Sequence, residues 1–342
     1  MTPKDSGPVP VPPSKVAIKL PQDQYLHPEA PTEWWWHTGT LVAGDRVFGF
    51  EINAASFTPL AFTEVMLTDV AKQLHFQKTA TQNPANWAES DPSKDWYARL
   101  GTPGTDADWI AMTAPQADPT NMSVKAQLTD EATGTVVTFD LVMAQEGSPF
   151  IVWGSGVNPT PPNPGGVTTN NYYYSLTRLQ ASGTICYDGQ TFDVSGQTWM
   201  DHEYGLFGTS TKPILWYLQD MQLSNGVHIS NSMVLDASSP VVPGQPHQSN
   251  ATIQCADGTT YFTTGVVMTP GKRTWTAPNG QIFYLDFLLE IAEFDASISV
   301  TTSMPDQAFD AFGSYVYEGV ATAAGTFQGE PVTGTAWNEQ RP

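Results

Sequence analysis

Ten residues, GQTWMDHEYG at 196 to 205, place two carboxylates, an imidazole and a phenol at four consecutive positions, Asp201 to Tyr204. An imidazole suits general acid–base work near neutral pH. A carboxylic acid in apolar surroundings keeps its proton to higher pH and becomes a donor. On a strand alternate residues share a face, so Trp199, Asp201 and Glu203 point one way and Met200, His202 and Tyr204 the other. The plainer reading makes Asp201 and Glu203 acceptors that pin the strand end before Gly205, and His202 a hydrogen-bonded core histidine. The sharper reading turns His202 and Tyr204 into a ligand cavity between two domains, as proton carrier and orienting phenol.

A second stretch, EWWWHTG at 33 to 39, carries three consecutive tryptophans. On a period-two strand they cannot all be core. The spacing predicts core packing for Trp34 and Trp36 and a ligand wall at Trp35 or His37, with Trp36 and Glu51 kept among the candidate substrate contacts. Trp216 and Tyr217 repeat the theme in ILWYLQD. Aromatic walls of this kind suit an apolar ligand and stabilise a carbocation by about 2 kcal/mol when desolvated.

Other chemistries are poorly supported. The six histidines show no H-E-x-x-H or paired spacing, so a metal site needs convergence from distant strands. The Gly-rich run GSGVNPTPPNPGG follows no strand-turn-helix unit, and no G-x-S-x-G elbow exists. Cys186 and Cys255 are too few for a metal cluster; a disulfide and two separate buried thiols both remain open.

The elements that must position these groups follow from composition. A length of 342 residues suggests two domains, since domains cluster at roughly 100 to 200 residues. Lys and Arg total 14 against 34 Asp and Glu, a net charge of -20, which repels nucleic acid and anionic membrane surfaces. Abundant Thr, Val, aromatic, Gly and Pro residues favour strands joined by turns, with helices short and confined to connections. No run of about 18 apolar residues spans a membrane, and the N-terminus lacks a signal-peptide core. The chain as given is read as soluble, with its compartment open between cytoplasm and processed secretion.

Residues 1–30 are Pro-rich and are expected to form an extended arm. Beyond them, apolar alternation recurs between turn signals, with hairpins expected at Gly44-Asp45 and at Asn225-Gly226. Separate strands are expected at Tyr172–Leu179 and Gln197–His202. An internal repeat divides the chain further. DVSGQTW matches PVTGTAW at an offset of 138, and the two aromatic hairpins match at an offset of 182. The difference, 182 minus 138, assigns about 44 extra residues to the first half, in the irregular stretches around 83–109 and 154–171. The expectation is all-β: two antiparallel β-barrel domains related by duplication, at 31–207 and 208–342, closed so that no sheet edge is exposed. In the repeat Trp199 matches Trp337 and Asp201 matches Glu339, whereas His202 and Tyr204 match Gln340 and Pro342.

The pairing of E-W-W-[WY]-x-x-G-x-L at Glu33 to Leu41 with G-x-x-W-M-D-H-E-[WY]-G at Gly196 to Gly205 resembles the lipocalin-like carotenoid 1,2-hydratase (hydroxyneurosporene synthase) family and its AttH-like relatives. The resemblance runs from about residue 30 to the end. It implies two lipocalin-like barrels and cofactor-free addition of water to isoprenoid double bonds. Hydration of a prenylated isoflavonoid is also known there, and fungal proteins of similar build are Diels–Alderases. It implies catalytic roles for His202, for Tyr204 in place of a tryptophan, and for Asp236, where Val234 stands in place of the family's tyrosine. Asp236 or Asp201 is then the acid and His202 the holder of water. Three functions follow: a hydratase of a hydrophobic isoprenoid or prenylated small molecule, a pericyclase folding a polyene, and a non-catalytic carrier.

Overall fold

The computed structural model describes residues 8–82, 85–104, 107–159, 166–207, 214–236, 241–311 and 313–342. Their regular structure is strand, apart from four 3-10 turns of three residues each. The first sheet holds β1 (Thr32–Ala43), β2 (Arg46–Phe57), β3 (Leu60–Asp69), β4 (Leu74–Gln82), β5 (Trp96–Leu100), β6 (Trp109–Ala114), β7 (Met122–Thr129), β8 (Val136–Gln145), β9 (Phe150–Ile151), β10 (Asn171–Tyr187) and β11 (Gln190–Gly205). Its order is β4-β3-β2-β1-β11-β10-β8-β7-β6-β5, with β9 beside β10.

The second sheet holds β12 (Ile214–Leu223), β13 (His228–Asp236), β14 (His247–Gln254), β15 (Thr260–Pro270), β18 (Asp286–Ile291), β19 (Ala296–Thr302), β20 (Ala308–Ala311), β21 (Ser314–Phe327) and β22 (Glu330–Arg341). A short ribbon pairs β16 (Thr274–Thr276) with β17 (Ile282–Tyr284). Because β19 pairs with both β18 and β21, the second sheet closes into a barrel, with β20 outside the ring on β21.

The expected all-β pair of barrel-like domains is what the chain forms, with the first sheet left open where the second closes. Among the described residues β4 and β5 remain the first sheet's two edges, so it is a half-barrel wrapped around its own apolar core. Side chains stand in for the missing ladder. Asp130, in the turn before β8, accepts the Gln77 N–H of β4 at 2.9 Å, and Thr79 of β4 donates to the Asp310 carbonyl of β20 at 3.1 Å. β5 itself lies in the stretch around 83–109 that the sequence presents as irregular.

Among the described residues the N-terminal arm carries no strand, only two short 3-10 turns, and packs against the open half-barrel. Ile18 and Tyr25 are buried in the first core, and the Tyr25 hydroxyl donates to the Lys94 carbonyl at 2.7 Å. Further upstream the Val11 N–H donates to the Thr260 carbonyl of the second domain at 2.8 Å. Residues 8–31 are therefore part of both domains' packing.

The turn at Asn225-Gly226 forms as expected, with Gly226 at φ 77°. A second two-residue turn, Asp188-Gly189, with φ values of 50° and 69°, joins β10 and β11 into one long hairpin. Positive φ at both central residues is what a right-twisted two-residue hairpin requires. The duplication appears in the register. Trp35 pairs with His202, and Tyr217, 182 residues on from Trp35, pairs with Gln340, 138 residues on from His202. Cys186 and Cys255 are free thiols.

Candidate functional site

β1 and β11 lie side by side, and their alternation sorts the candidate residues onto two faces. Glu33, Trp35 and His37 of β1 and Met200, His202 and Tyr204 of β11 turn into the half-barrel. Trp35, His37 and His202 there are 0% exposed. Trp34, Trp36, Asp201 and Glu203 turn outward, toward the second domain. Two expectations need correction. Trp35 is packed in the first core, where a ligand wall was expected, while Trp36 is only partly buried in the seam, and the His202 and Tyr204 face turns into the first domain, not between the domains. Alternation says which residues share a face; only the sheet's curvature says which face is inside.

Inside the half-barrel, Glu33 is the meeting point. Its Oε1 lies 3.0 Å from His202 Nε2 and 2.9 Å from His27 Nδ1, and its Oε2 accepts the His27 backbone N–H at 2.8 Å. His202 Nδ1 is 3.3 Å from the Tyr174 hydroxyl, which donates to Gln24 Oε1. His27 Nε2 is 3.8 Å from Asp23 Oδ1. Ring contacts hold the two imidazoles in place. Trp35 stacks on His202 at 4.6 Å, and Tyr204 stacks on His27 at 3.7 Å, with Tyr172 behind it.

These contacts set the charges. Burial alone would depress His27, but its hydrogen bonds to Asp23 and Glu33 win and hold its pKa at about 9. Burial would raise Glu33, yet the hydrogen bonds from His202 and His27 bring it below the usual carboxylate value. His202 is lowered by burial despite the pull of Glu33. Tyr174 is pushed well above an ordinary phenol by burial and by the charges around it, so it keeps its proton. Burial takes His37 down to about 3, and neither of its ring nitrogens has a partner, so it is a neutral core histidine.

Tyr174 is also where this network meets open space. A cavity of about 650 Å³ is lined by Leu20, Pro21 and Gln24 of the arm, Asp95, the Pro115–Pro119 loop, and Tyr174 and Leu176 of β10. The side chains of Asp23 and His27, at the far end of the network, are 21% and 20% exposed. Tyr174, His202, Glu33 and His27 thus form a chain of polar contacts that runs from a cavity-lining residue to partly exposed side chains. Among the described residues, His27, Glu33 and His202 also bring three donor atoms within 4.8 Å of one another, close enough to share an ion.

The outward face carries a different chemistry. Asp201 accepts from the Trp199 indole at 2.8 Å and from Ser175. Trp216 donates to Glu339, and Trp337 to Glu318. Asn53 bridges Glu51 and Glu64 at 3.0 Å to each. Burial raises Asp201 to about 6 and, with the charge of Asp201, Glu339 to about 8; burial and neighbouring carboxylates also hold Glu51, Glu64, Glu203, Asp220 and Glu318 well above the ordinary carboxylate value. These carboxyls sit in the seam between the domains, where a space of about 10 Å³ lies beside Asp220, Trp199 and Trp337. Trp36 packs there against Phe309.

The candidate residues therefore do not form one site. Trp35, His37, His202 and Tyr204 line the first domain's interior, and Trp36, Glu51, Asp201 and Trp216 lie in the seam. Tyr217 is in the second core beside Tyr284 and Phe287. Asp236 ends β13 opposite Ile214, and its side chain lies outside the described residues. Sequence reasoning missed His27, Tyr174 and Gln24, and read Glu33 only as part of a motif. The repeat held a signal for Glu33: its equivalent at +182 is Leu215, just as the equivalent of His202 is Gln340, whose amide is spent on the backbone of Tyr284. What the second domain lacks is the pair Glu33 and His202.

The profile of a family described as AttH-like matches residues 10–339. No curated protein matches the chain significantly. Two solved structures are similar along nearly their whole length. One, described as an AttH from Nitrosomonas europaea, has a TM-score of 0.74 at 21% identity, covering 97% of this chain and 99% of its own. The other, kievitone hydratase from Nectria haematococca, has a TM-score of 0.74 at 15% identity, covering 98% and 97%. At these identities the likeness establishes the fold.

Proposed function

The chain belongs to the AttH-like family, and from that premise we propose that it is a hydratase adding water to a carbon–carbon double bond of a hydrophobic small molecule held beside Tyr174. The observation that carries the reading is the place of Tyr174, which lines the cavity while its hydroxyl lies 3.3 Å from His202, the first member of the His202, Glu33 and His27 network. The similarity in fold to a hydratase supports it. The cavity's volume falls within the roughly 300–1,000 Å³ usual for small-molecule sites. Leu20, Pro21 and Leu176 give it apolar walls fit for an isoprenoid or prenylated chain.

In this reading the Tyr174 O–H gives its proton to one alkene carbon as His202 Nδ1–H passes its own to the phenol oxygen, so that no buried phenolate builds up, while the oxygen of a water bonds to the other carbon. The attacking water sheds one proton to a second water in the cavity, and His202 regains one from solvent through Glu33 and His27. Water is consumed and every protein group ends as it began. His202 acts here as a proton carrier, consistent with its sequence-based role, while the acid role moves from Asp201 or Asp236 to Tyr174.

Incubating the protein with prenylated and isoprenoid alkenes and weighing the products by mass spectrometry tests this. Hydration adds the mass of one water. A product of unchanged mass would favour a cyclase, and tight binding without conversion would favour a carrier.

A further inference from the structure

We infer that His27, Glu33 and His202 form a binding site for a divalent transition metal ion of the zinc class. The inference stands apart from the hydratase reading, since binding does not depend on what the cavity does.

Three features of the geometry point to an ion. First, the donors converge: His27 Nδ1 and His202 Nε2 both aim at Glu33 Oε1, at 2.9 and 3.0 Å. Ligands about 2.0–2.1 Å from a tetrahedral Zn²⁺ lie roughly 3.3 Å apart, so the two histidine–Glu33 distances need open by only a few tenths of an ångström, and all three donor atoms already lie within 4.8 Å of one another. Two imidazoles and a carboxylate are a donor set that zinc and its neighbours accept, with a fourth position left for water.

Second, the outer nitrogen of each ring is also held. His27 Nε2 faces Asp23 Oδ1 at 3.8 Å, and His202 Nδ1 lies 3.3 Å from the Tyr174 oxygen. Outer partners of this sort orient metal-ligating histidines. His27 is partly exposed, which gives an ion its way in.

Third, the hydrogen count is one short. Tyr174 spends its O–H on Gln24 Oε1, so its contact with His202 needs an N–H at Nδ1. A neutral imidazole has only one. His202 Nε2 is then a bare lone pair facing a carboxylate oxygen, and a cation between them resolves the conflict. Turning the Gln24 amide over would resolve it without an ion, because Gln24 Nε2 has no partner as it stands.

Chelator-treated full-length protein titrated with Zn²⁺ by calorimetry, and with Co²⁺ by visible absorption, separates these. We expect uptake of one ion per chain at micromolar concentration and a Co²⁺ band typical of nitrogen and oxygen ligands. His27→Ala and His202→Ala should each weaken binding by more than about tenfold. If either variant fails to fold by circular dichroism, Asp23→Asn, which leaves the three ligands in place, should still weaken binding by about 10 to 100-fold. Absence of stoichiometric uptake, or uptake unchanged in folded variants, overturns the inference and leaves the turned Gln24 amide as the answer. On the hydratase reading the ion would also break the proton path, so Zn²⁺ should inhibit turnover. Binding without inhibition would count against that reading and leave the metal site standing.

Discussion

His202 and Glu33, 169 residues apart in the chain, meet at 3.0 Å with side chains only 0% and 2% exposed. Removing one member of such a pair strands the other without water to replace it. Glu33→Ala should therefore cost about 3–5 kcal/mol of stability, since His27 and His202 lose their acceptor together. Urea unfolding measures this, and a loss below about 1 kcal/mol would show that the contact is incidental.

Tyr174→Phe keeps the ring and removes only the hydroxyl. On the proposed mechanism kcat should fall by about 10² to 10⁴-fold while ligand affinity changes little. Steady-state kinetics set beside a binding titration check this; equal losses in both would assign Tyr174 to binding alone.

The seam predicts how stability depends on pH. Asp201 and Glu339 have folded pKa values raised to about 6 and about 8, against ordinary values of 3.8 and 4.5. The folded chain thus binds more protons than the unfolded chain between those limits, and stability must fall as pH rises. The loss begins near pH 4, where the unfolded carboxyls ionise, and is complete for these two groups above about pH 8. Chemical unfolding at pH 5 and pH 9 should show lower stability at pH 9. Glu339→Gln should flatten the curve between pH 6 and 8, and an unchanged slope would mean that these carboxyls are already ionised.

Two glycines allow a test of backbone fit. Gly183 of β10 has φ 148°, and a methyl group there would lie 2.0 Å from the Asp140 carbonyl oxygen of β8, whereas Gly189, at φ 69° in the β10–β11 turn, has nothing within 4 Å. Gly189→Ala should cost about 1–2 kcal/mol, from its left-handed backbone alone. Gly183→Ala should cost more, because it adds a clash with backbone that cannot step aside. Thermal melting ranks the two, and the opposite order would contradict the crossing of β10 over β8.

Much of the fold was legible in the chain. The Asn225-Gly226 turn, the period-two runs and the V-x-G-x-x-W repeat are local signals, and the two offsets relate the pairing of Trp35 with His202 to that of Tyr217 with Gln340. The Asp188-Gly189 turn was equally readable but went unused. The site was less legible. Trp199, Asp201 and Glu203 were correctly parted from His202 and Tyr204, yet alternation carries no information on which face a sheet curls around. Tyr174 and His27 were hidden for another reason: neither lies in a recognisable motif, and their roles arise only when the arm folds over the half-barrel.

That arm also sets an order of events. His27 leaves the ribosome 175 residues before His202, and Val11 leaves 249 residues before Thr260, the partner of its N–H. The first sheet gathers its strands within one stretch of synthesis, but the segment that closes it cannot settle fully until the second barrel exists to hold its far end. The part of the arm from Leu20 to His27 packs on the first sheet alone, among the described residues, so only the stretch around Val11 waits for the second barrel. A nascent chain would pass through an interval in which the arm's outer end is still loose, and that interval is when a chaperone has most to offer.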